Sequence, residues 1–377
     1  MPLTVLSQLS DPAICRRLVL KVGSSLLVDR QGKARRTWLA SLAQDIAALR
    51  TGGTEVIVVS SGAIALGAAR LDLPERGRRS LADAQAAAAV GQIALAGLWT
   101  DCLAGHGIPA AQLLLTLSDL EDRRRYLNVA ATLARLLEAG AVPVINENDS
   151  VATEEIRFGD NDRLAARVAQ AAQVDAVVLL SDVDGLYDRD PREAGAALVP
   201  IVDGITAEIL AMASSASSSG LGSGGMASKL QAAQIAERAG IALAIINGTQ
   251  DAPLATALTS ARGTLFRPQR SDRPRKAWLG GRMAAAGTVR VDAGCAEALM
   301  RGASLLAAGV VGISGSFRRG DLIRICDLRG KALAQGLSEY DSAECMAIAG
   351  KRDSEQADLL GYAPRSCLVH RDHMVLL

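Results

Sequence analysis

Apolar residues run almost without interruption through six short segments in the first two thirds of the chain. These segments, which we predict to be buried strands, are 17–22, 55–61, 109–116, 142–146, 175–180 and 241–247. Between them lie stretches with apolar residues every three or four positions, which predict helices. The helices are 38–50, 81–103 (as one helix or two), 126–140, 163–173 and 226–239. Strands that are apolar along their length and alternate with helices indicate an α/β fold, a three-layer sandwich whose mainly parallel central sheet is covered on both faces.

The pattern changes near residue 287, where short apolar segments alternate with glycine turns. The segments are 289–291, 305–306, 309–313, 321–326 and 367–370, and they predict a small β-rich domain. Residues 262–282, with two prolines and seven basic residues against one acid, precede it. Such a run could touch RNA, but a solvated linker is the better interpretation. His370 and His373 could form half a metal site, but nothing in the spacing completes it, so a surface strand is favoured.

Composition narrows the class of protein. Of 377 residues, 49% are hydrophobic and only 3% aromatic, so we expect a folded chain with an aliphatic core. The net charge of +1 provides no bulk attraction to nucleic acid or membrane. The apolar tract 86–99 is too short to span a bilayer, and the first residues do not resemble a secretory signal. Six scattered cysteines without a CxxC pair fit a reduced, cytoplasmic protein without structural zinc.

The densest polar region, residues 143–163, begins where the strand 142–146 ends. Asparagine and acidic side chains follow one another there, and a second cluster stands at 159–162. An acidic surface loop is the ordinary explanation of such a run. However, open α/β sheets bind ligands at the carboxyl ends of their strands. Asparagine both donates and accepts hydrogen bonds, so this mixture suits a small zwitterion carrying an ammonium and carboxylates.

Two other strands end in glycine turns. Lys21 lies inside an apolar strand that ends in Gly23, Ser24 and Ser25, and a second strand runs through Ser61 into Gly62. Burying a lysine costs free energy unless its ammonium group meets an anion or emerges at the end of the strand. A lysine on an edge strand whose ammonium reaches solvent is the ordinary alternative. The backbone of such a turn can also bind an anion. Two such turns in one sheet indicate two parts of a single phosphate or substrate pocket.

The segment 214–229 is rich in serine and glycine and leads directly into a predicted helix. A flexible linker would have this composition. Its glycines match G-x-G-x-x-G, but no strand precedes them, and no lysine follows Gly225 directly, so neither a dinucleotide fingerprint nor a Walker A loop is predicted. Lys229 in the first turn of the helix opposes the helix dipole, which indicates a compensating anion. The Asp-x-Asp-Gly sequence 182–185 is interpreted as a turn after a strand, because the other calcium ligands are missing.

Together these motifs resemble the amino acid kinase family followed by a PUA domain, over essentially the whole chain beyond residue 16. The resemblance rests on LKVGSS (20–25), VVSSGAIALG (58–67), AVGQ (89–92), VPVINENDSVAT (142–153), GDND (159–162), LSDVDGLY (180–187), GLGSGGMASK (220–229), FRRGDLIRI (317–325) and VHRDHM (369–374). It implies an amino-acid-kinase domain at 1–266, with an extension at 1–16, a basic linker at 267–285 and a PUA-like domain at 286–377.

Within that family, the block 146–162 is similar to members that phosphorylate the side-chain carboxylate of L-glutamate with ATP and Mg²⁺, the first step of proline biosynthesis. The resemblance implies catalytic roles for Lys21, Lys229 and Asp162, the acid between the two lysines. It implies glutamate contacts for Ser61, Asp149 and Asn161. The implied nucleotide-binding residues are Lys21, Gly23, Ser24, Ser181, Asp182, Ser223, Gly224, Gly225, Met226, Ala227, Ser228 and Lys229. No residue is assigned as a direct metal ligand.

The resemblance also implies feedback inhibition by L-proline and a functional link to glutamyl phosphate reductase. We expect a homo-oligomer and no membrane partner. The first alternative is another kinase of the family, acting on acetylglutamate, aspartate, carbamate or UMP. The second is an RNA-binding regulatory protein with a vestigial kinase domain. Residues 286–377 carry eleven basic and eleven acidic side chains, and this neutrality disfavours RNA binding.

Overall fold

The computed structural model describes residues 3–29, 31–151, 160–215, 225–268 and 285–377. The chain forms two compact units, Met1–Ser271 and Asp272–Leu377.

The first unit is built on an eight-stranded sheet with the order β3-β4-β2-β1-β5-β7-β8-β6. Its strands are β1 (Arg17–Val22), β2 (Glu55–Ser60), β3 (Ala110–Leu115), β4 (Val142–Glu147), β5 (Ala176–Ser181), β6 (Ile201–Asp203), β7 (Ala242–Asn247) and β8 (Thr264–Arg267). Every pairing is parallel except that of β7 with β8. The predicted mainly parallel sheet is therefore confirmed, although β6 and β8 were not foreseen.

Helices cover both faces of this sheet. They are α1 (Ser24–Leu27), α2 (Arg36–Thr51), α3 (Ala63–Arg70), α4 (Leu81–Ala104), α5 (Leu117–Glu121), α6 (Arg123–Glu138), α7 (Asp160–Ala172), α8 (Ala207–Ser215), α9 (Met226–Arg238) and α10 (Pro253–Ser260), with 3-10 turns at Leu6–Ser10 and Pro74–Gly77. One apolar core joins the sheet to α2, α4 and α10, and another joins it to α6, α7 and α9. The predicted glycine-serine turn after β1 is in fact the short helix α1, and α8 and α10 were not predicted.

Helix α4 is one continuous helix, which begins where Ser80 Oγ accepts a hydrogen bond from the backbone N–H of Asp83 (3.1 Å). Within the described ranges, α4 is the one helix whose length and hydropathy would suffice to cross a membrane. The shorter apolar tract 86–99, to which the expectation applied, lies within this longer helix. Its side chains Leu95, Leu98 and Trp99 belong to the apolar core beside α2, which is the arrangement of a core helix in a folded domain.

Helices α3 and α4 approach each other backbone to backbone at two glycines. A Cβ atom added at Gly91 would lie 1.7 Å from the carbonyl oxygen of Ala63, and one added at Gly67 would lie 1.8 Å from that of Ala87. Only glycine allows this contact between backbones. Helix α3 itself starts directly after Gly62, whose φ of 122° is a conformation that other residues rarely adopt.

The second unit contains a five-stranded sheet with the order β10-β9-β11-β12-β13. Its elements are β9 (Gly287–Val291), α11 (Ala293–Met300), β10 (Val310–Gly315), β11 (Leu322–Cys326), β12 (Ala332–Leu337), α12 (Ser342–Ile348), α13 (Asp353–Leu360) and β13 (Met374–Leu376), with 3-10 turns at Ala307–Gly309 and Arg371–His373. The β-rich prediction is confirmed, although three helices were missed. Segments 305–306 and 367–370 are not strands; they share the isolated bridge between Leu305 and Val369.

The predicted surface strand at His370 and His373 is also wrong. His373 belongs to the 3-10 turn, and its Nδ1 lies 3.8 Å from Glu339 Oε1. Glu339 in turn pairs with Arg319 (3.1 Å), and both side chains are largely buried. Among the residues that the structure describes, no group of three or more histidine, cysteine, aspartate or glutamate side chains could hold a metal ion.

Candidate active site

Lys21 comes to the site from β1, near the centre of the sheet. Side chains alternate along a strand, so Lys21 shares the face of Val19, which packs in the core formed with α7 and α9. The side chain is almost fully buried at the carboxyl end of the strand. Its Nζ lies 2.6 Å from Asp162 Oδ1, so the anion that a buried lysine requires is present.

Asp162 lies in the first turn of α7 and is completely buried. Its second oxygen, Oδ2, lies 3.3 Å from Lys229 Nζ and accepts a hydrogen bond from Ser228 Oγ (2.9 Å). Lys229 and Ser228 both come from the first turn of α9. One carboxylate therefore joins two lysines from distant parts of the chain, and it is the compensating anion predicted for Lys229.

These three charges perturb one another strongly. Burial by itself would raise the pKa of Asp162, but the charges of Lys21 and Lys229 and the hydrogen bonds from Lys21 and Ser228 hold that pKa below its ordinary value of 3.8. Burial lowers the pKa of Lys229 below 10.5; the Asp162 carboxylate opposes this shift, and the charge of Lys21 adds to it. Two ammonium groups and one carboxylate leave the cluster with an excess of positive charge, which favours a bound anion.

Gly23 leaves space beside the Lys21 ammonium. A Cβ atom at Gly23 would lie 3.7 Å from Lys21 Nζ, so any larger residue would occupy the volume next to that charge. Ser24 follows as the first residue of α1. The start of α1 therefore lies beside the lysine, and the absence of a side chain at Gly23 leaves open volume next to the ammonium group.

Asn161, the residue before Asp162, belongs to a chain of side-chain hydrogen bonds. Asn161 Nδ2 donates to Ser61 Oγ (2.6 Å) and to Asn146 Oδ1 (3.1 Å). Asn146, at the end of β4, donates from its Nδ2 to Gln92 Oε1 on α4 (2.9 Å). Two of the predicted glutamate contacts, Ser61 and Asn161, are thus in direct contact. The sequence motifs contain Asn146 and Gln92 but predict no role for them; the signal for Gln92 is a polar side chain within an apolar helical tract.

Asp149 lies in the loop after β4, where the backbone N–H of Val151 donates to the carbonyl oxygen of Asn148 (3.2 Å). Its charge acts on Arg78, a residue that sequence reasoning missed. Desolvation lowers the pKa of the Arg78 guanidinium, and the Asp149 carboxylate opposes that shift. The signal for Arg78 was the run of arginines at 76, 78 and 79, between α3 and α4.

The predicted nucleotide side is formed by β5 and α9. Ser181 is buried at the end of β5, which pairs directly with β1. The exposed carboxylate of the next residue, Asp182, attracts Lys229 and acts to raise its pKa. Gly225 to Lys229 form the start of α9, whereas Ser223 and Gly224 lie outside the described residues.

The sequence 182–185 is a turn, as predicted. Asp184 accepts hydrogen bonds from Asn247 Nδ2 (2.8 Å), Tyr187 Oη (3.0 Å) and Arg262 Nε (3.0 Å). Desolvation acts to raise the pKa of this carboxyl, but these three donors and the charge of Arg262 hold it below 3.8. Its partners are protein side chains, which gives Asp184 a structural role in the loop.

Family models match both units of the chain. The model described as the amino acid kinase family matches residues 16–247, and the PUA domain model matches residues 287–359. The chain belongs to the amino acid kinase family. The cluster of Lys21, Asp162 and Lys229 lies wholly within the part that matches the amino acid kinase model.

Named relatives of this amino acid kinase family member match it over nearly its full length. The glutamate 5-kinase of Novosphingobium aromaticivorans is 65% identical over 377 residues, which is 100% of each chain. That of Sphingopyxis alaskensis is 59% identical and covers 98% of this chain and 100% of its own. A solved UMP kinase from Bacillus anthracis covers 68% of this chain and 97% of its own, at 15% identity and a TM-score of 0.47.

Proposed function

We propose that this chain is a glutamate 5-kinase, which transfers the terminal phosphoryl group of ATP to the side-chain carboxylate of L-glutamate and forms L-glutamyl 5-phosphate, the first step of proline biosynthesis. The carboxylate of Asp162 between Lys21 and Lys229 carries this proposal, because it places positive charge beside a chain of amide side chains. The names of relatives that match the full chain support the same substrate.

The proposed reaction needs no general base from the protein. A glutamate side chain has a pKa of about 4.3, so the attacking carboxylate is ionised at neutral pH. Phosphoryl transfer then depends on positioning and on positive charge near the transferring oxygens. Lys21 and Lys229 would supply that charge from opposite sides. Asp162 would hold both ammonium groups in place and reduce their mutual repulsion.

For the substrate, we assign Ser61, Asp149 and Asn161. An α-ammonium needs acceptors, which Asp149 and the Asn161 amide oxygen can provide. For the nucleotide, we assign Gly23 with Ser24, Ser181 with Asp182, and residues 223–229. The space beside Gly23 and the cationic cluster suit a polyphosphate.

ATP would supply the phosphoryl group, and Mg²⁺ would neutralise its oxygens. Within the described ranges no set of three acidic, histidine or cysteine side chains is grouped as a metal site. Mg²⁺ in phosphoryl-transfer sites often keeps waters and phosphate oxygens as ligands. A site with few acidic side chains therefore fits a magnesium ion that enters with the nucleotide. No direct protein ligand is assigned.

We further propose a cytoplasmic homo-oligomer that is inhibited by L-proline at or beside the glutamate pocket. Acyl phosphates are reactive, which favours a functional link to glutamyl phosphate reductase as the consumer of the product. The equal numbers of basic and acidic residues in 286–377 disfavour RNA as a partner of the PUA domain.

Substrate identity is tested by incubating the protein with ATP and Mg²⁺ and each of L-glutamate, N-acetylglutamate, L-aspartate and UMP. ADP release reports turnover for all four, and hydroxylamine traps acyl phosphates as hydroxamates. We expect both signals with L-glutamate alone. Turnover with another acceptor would overturn the substrate assignment but keep the lysine cluster, whereas no turnover with any acceptor would contradict the proposed activity.

A further inference from the structure

We infer that Gln92 is a positioning residue for substrate selection: through Asn146, it holds the amide of Asn161 with its oxygen directed at the α-ammonium of the substrate. This inference rests on the proposed function and adds to it a determinant that lies outside direct contact with glutamate. It concerns how the site distinguishes an amino acid from a dicarboxylic acid of the same length.

The argument starts from the direction of the hydrogen bonds. An amide has a donor end and an acceptor end. Gln92 presents Oε1, so Asn146 must point its Nδ2 at Gln92 and its Oδ1 at Asn161. Asn161 must then present Nδ2 to Asn146, and the second hydrogen of that nitrogen is donated to Ser61 Oγ. The orientation of the Gln92 amide therefore fixes the orientation of the Asn146 amide, which in turn fixes that of Asn161.

The consequence falls on Asn161 Oδ1. This oxygen is buried, and among the residues that the structure describes no donor reaches it. A buried acceptor without a donor costs about 1–3 kcal/mol, so a ligand that supplies an N–H is favoured. The α-ammonium of an amino acid is such a donor. A flipped Asn161 would present an NH₂ group instead and would repel that ammonium.

The fold fixes the backbone on both sides of Gln92. Gly91, the preceding residue, is the point where α4 meets α3 backbone to backbone, and α3 starts immediately after Ser61 and Gly62. Two helical turns beyond, Trp99 Nε1 donates to Ser60 Oγ (2.9 Å), so α4 is also bonded to the end of β2. Asn146 is 2% exposed, which leaves its amide little access to water.

Two variants of Gln92 test the inference. Gln92→Met keeps the length of the side chain but removes the acceptor, so the two asparagines lose their fixed direction. Gln92→Glu keeps an acceptor at the same place and cannot donate when ionised, so it should preserve that direction. For each protein, kcat and KM for L-glutamate are measured, together with the inhibition constant of glutarate, which has both carboxylates but no ammonium. Glutarate serves as the control for any general disturbance of the pocket, including the added charge in Gln92→Glu.

For Gln92→Met we expect KM for L-glutamate to rise by about tenfold, since a hydrogen bond to a charged group is lost. The inhibition constant of glutarate and kcat should change by less than about threefold. In Gln92→Glu, the ratio of KM for L-glutamate to the inhibition constant of glutarate should stay near its value in the unchanged protein. An unchanged KM in Gln92→Met, an equal rise in both constants, or a ratio in Gln92→Glu as altered as in Gln92→Met would each overturn the inference. Absence of L-glutamate turnover in the unchanged protein would instead overturn the proposed function.

Discussion

Lys21 Nζ lies 2.6 Å from Asp162 Oδ1, and the contact is completely shielded from solvent on the aspartate side. The other carboxylate oxygen faces Lys229. Ion pairs on protein surfaces contribute little, but a buried carboxylate between two lysines fixes the position of both charges. Substitutions in this cluster are therefore expected to affect turnover most directly.

Asp162→Asn should reduce kcat by about 100-fold, because the two ammonium groups lose the charge that holds them in position. Breaking this buried network should also lower the free energy of unfolding, by about 3–5 kcal/mol. Steady-state kinetics and chemical denaturation measure the two effects. Asp45→Asn is the matched control, since Asp45 is also buried but accepts from the backbone N–H of Leu254 (2.9 Å) in α10. It should lose stability and keep its turnover. Near-normal kcat in Asp162→Asn would remove Asp162 from the mechanism.

Lys21→Ala and Lys229→Ala should each lower kcat by about 100-fold, with a smaller change in KM for L-glutamate. The reason is that both charges act on the transferring group rather than on the bound amino acid. Ser228→Ala removes a neutral donor to the same oxygen of Asp162, so we expect a loss of less than about tenfold. If KM rose more than kcat fell in either lysine variant, that lysine would instead be a substrate-binding residue.

The lowered pKa of Lys229 predicts an alkaline limb in kcat/KM below pH 10.5, the ordinary lysine value. Lys229 must be protonated to act, and burial makes it lose its proton at lower pH than in the unfolded chain. Over the same interval the unfolded chain binds more protons, so this residue makes folding stability rise with pH while activity falls. Lys229→Arg, which stays charged, should lack the limb in whatever activity it keeps. An identical limb in that variant would assign it to another group.

Asp149→Ala and Asn161→Ala should raise KM for L-glutamate by about tenfold or more and change kcat less, because each is proposed to contact the bound substrate. Asn148→Ala is a suitable control: its amide oxygen accepts from Ser150 Oγ (2.6 Å) within the same loop. That variant should bind glutamate normally. An unchanged KM in Asp149→Ala or Asn161→Ala would place the substrate pocket elsewhere.

Gly91→Ala should destabilise the protein by about 3 kcal/mol, because the new methyl group would overlap the carbonyl oxygen of Ala63. Gly97→Ala, on the same helix, is the opposite case, since a Cβ atom there meets nothing within 4 Å. It should stabilise the helix by up to about 1 kcal/mol through the higher helix propensity of alanine. Thermal and chemical unfolding of the two variants measure the difference. Equal effects would show that α3 and α4 can separate without cost.

The sequence by itself determined the class of fold and indicated where the candidate site lies. Continuous apolar runs such as 175–180 can only be buried strands or short core helices, and their alternation with helical periodicity requires a covered parallel sheet. Polar residues at the ends of strands or just beyond them, Ser24, Ser61 and Asn146, indicated one ligand-binding edge, because parallel strands end on the same side. These signals are local, and a single chain displays them without its neighbours.

Tertiary structure alone decided the pairwise relationships. Strand β8 is short, lies between β7 and β6, and runs antiparallel to β7, a direction that its own four residues do not encode. The link from Gln92 to Asn161 passes through Asn146, and it joins α4, β4 and α7, which are distant in the sequence. The resemblance to the family suggested that Asp162 lies between two lysines, but the oxygen that each lysine contacts depends on how α7 and α9 pack on one face of β1. Distances between distant residues follow from packing, and the one-dimensional pattern of polar and apolar positions does not contain them.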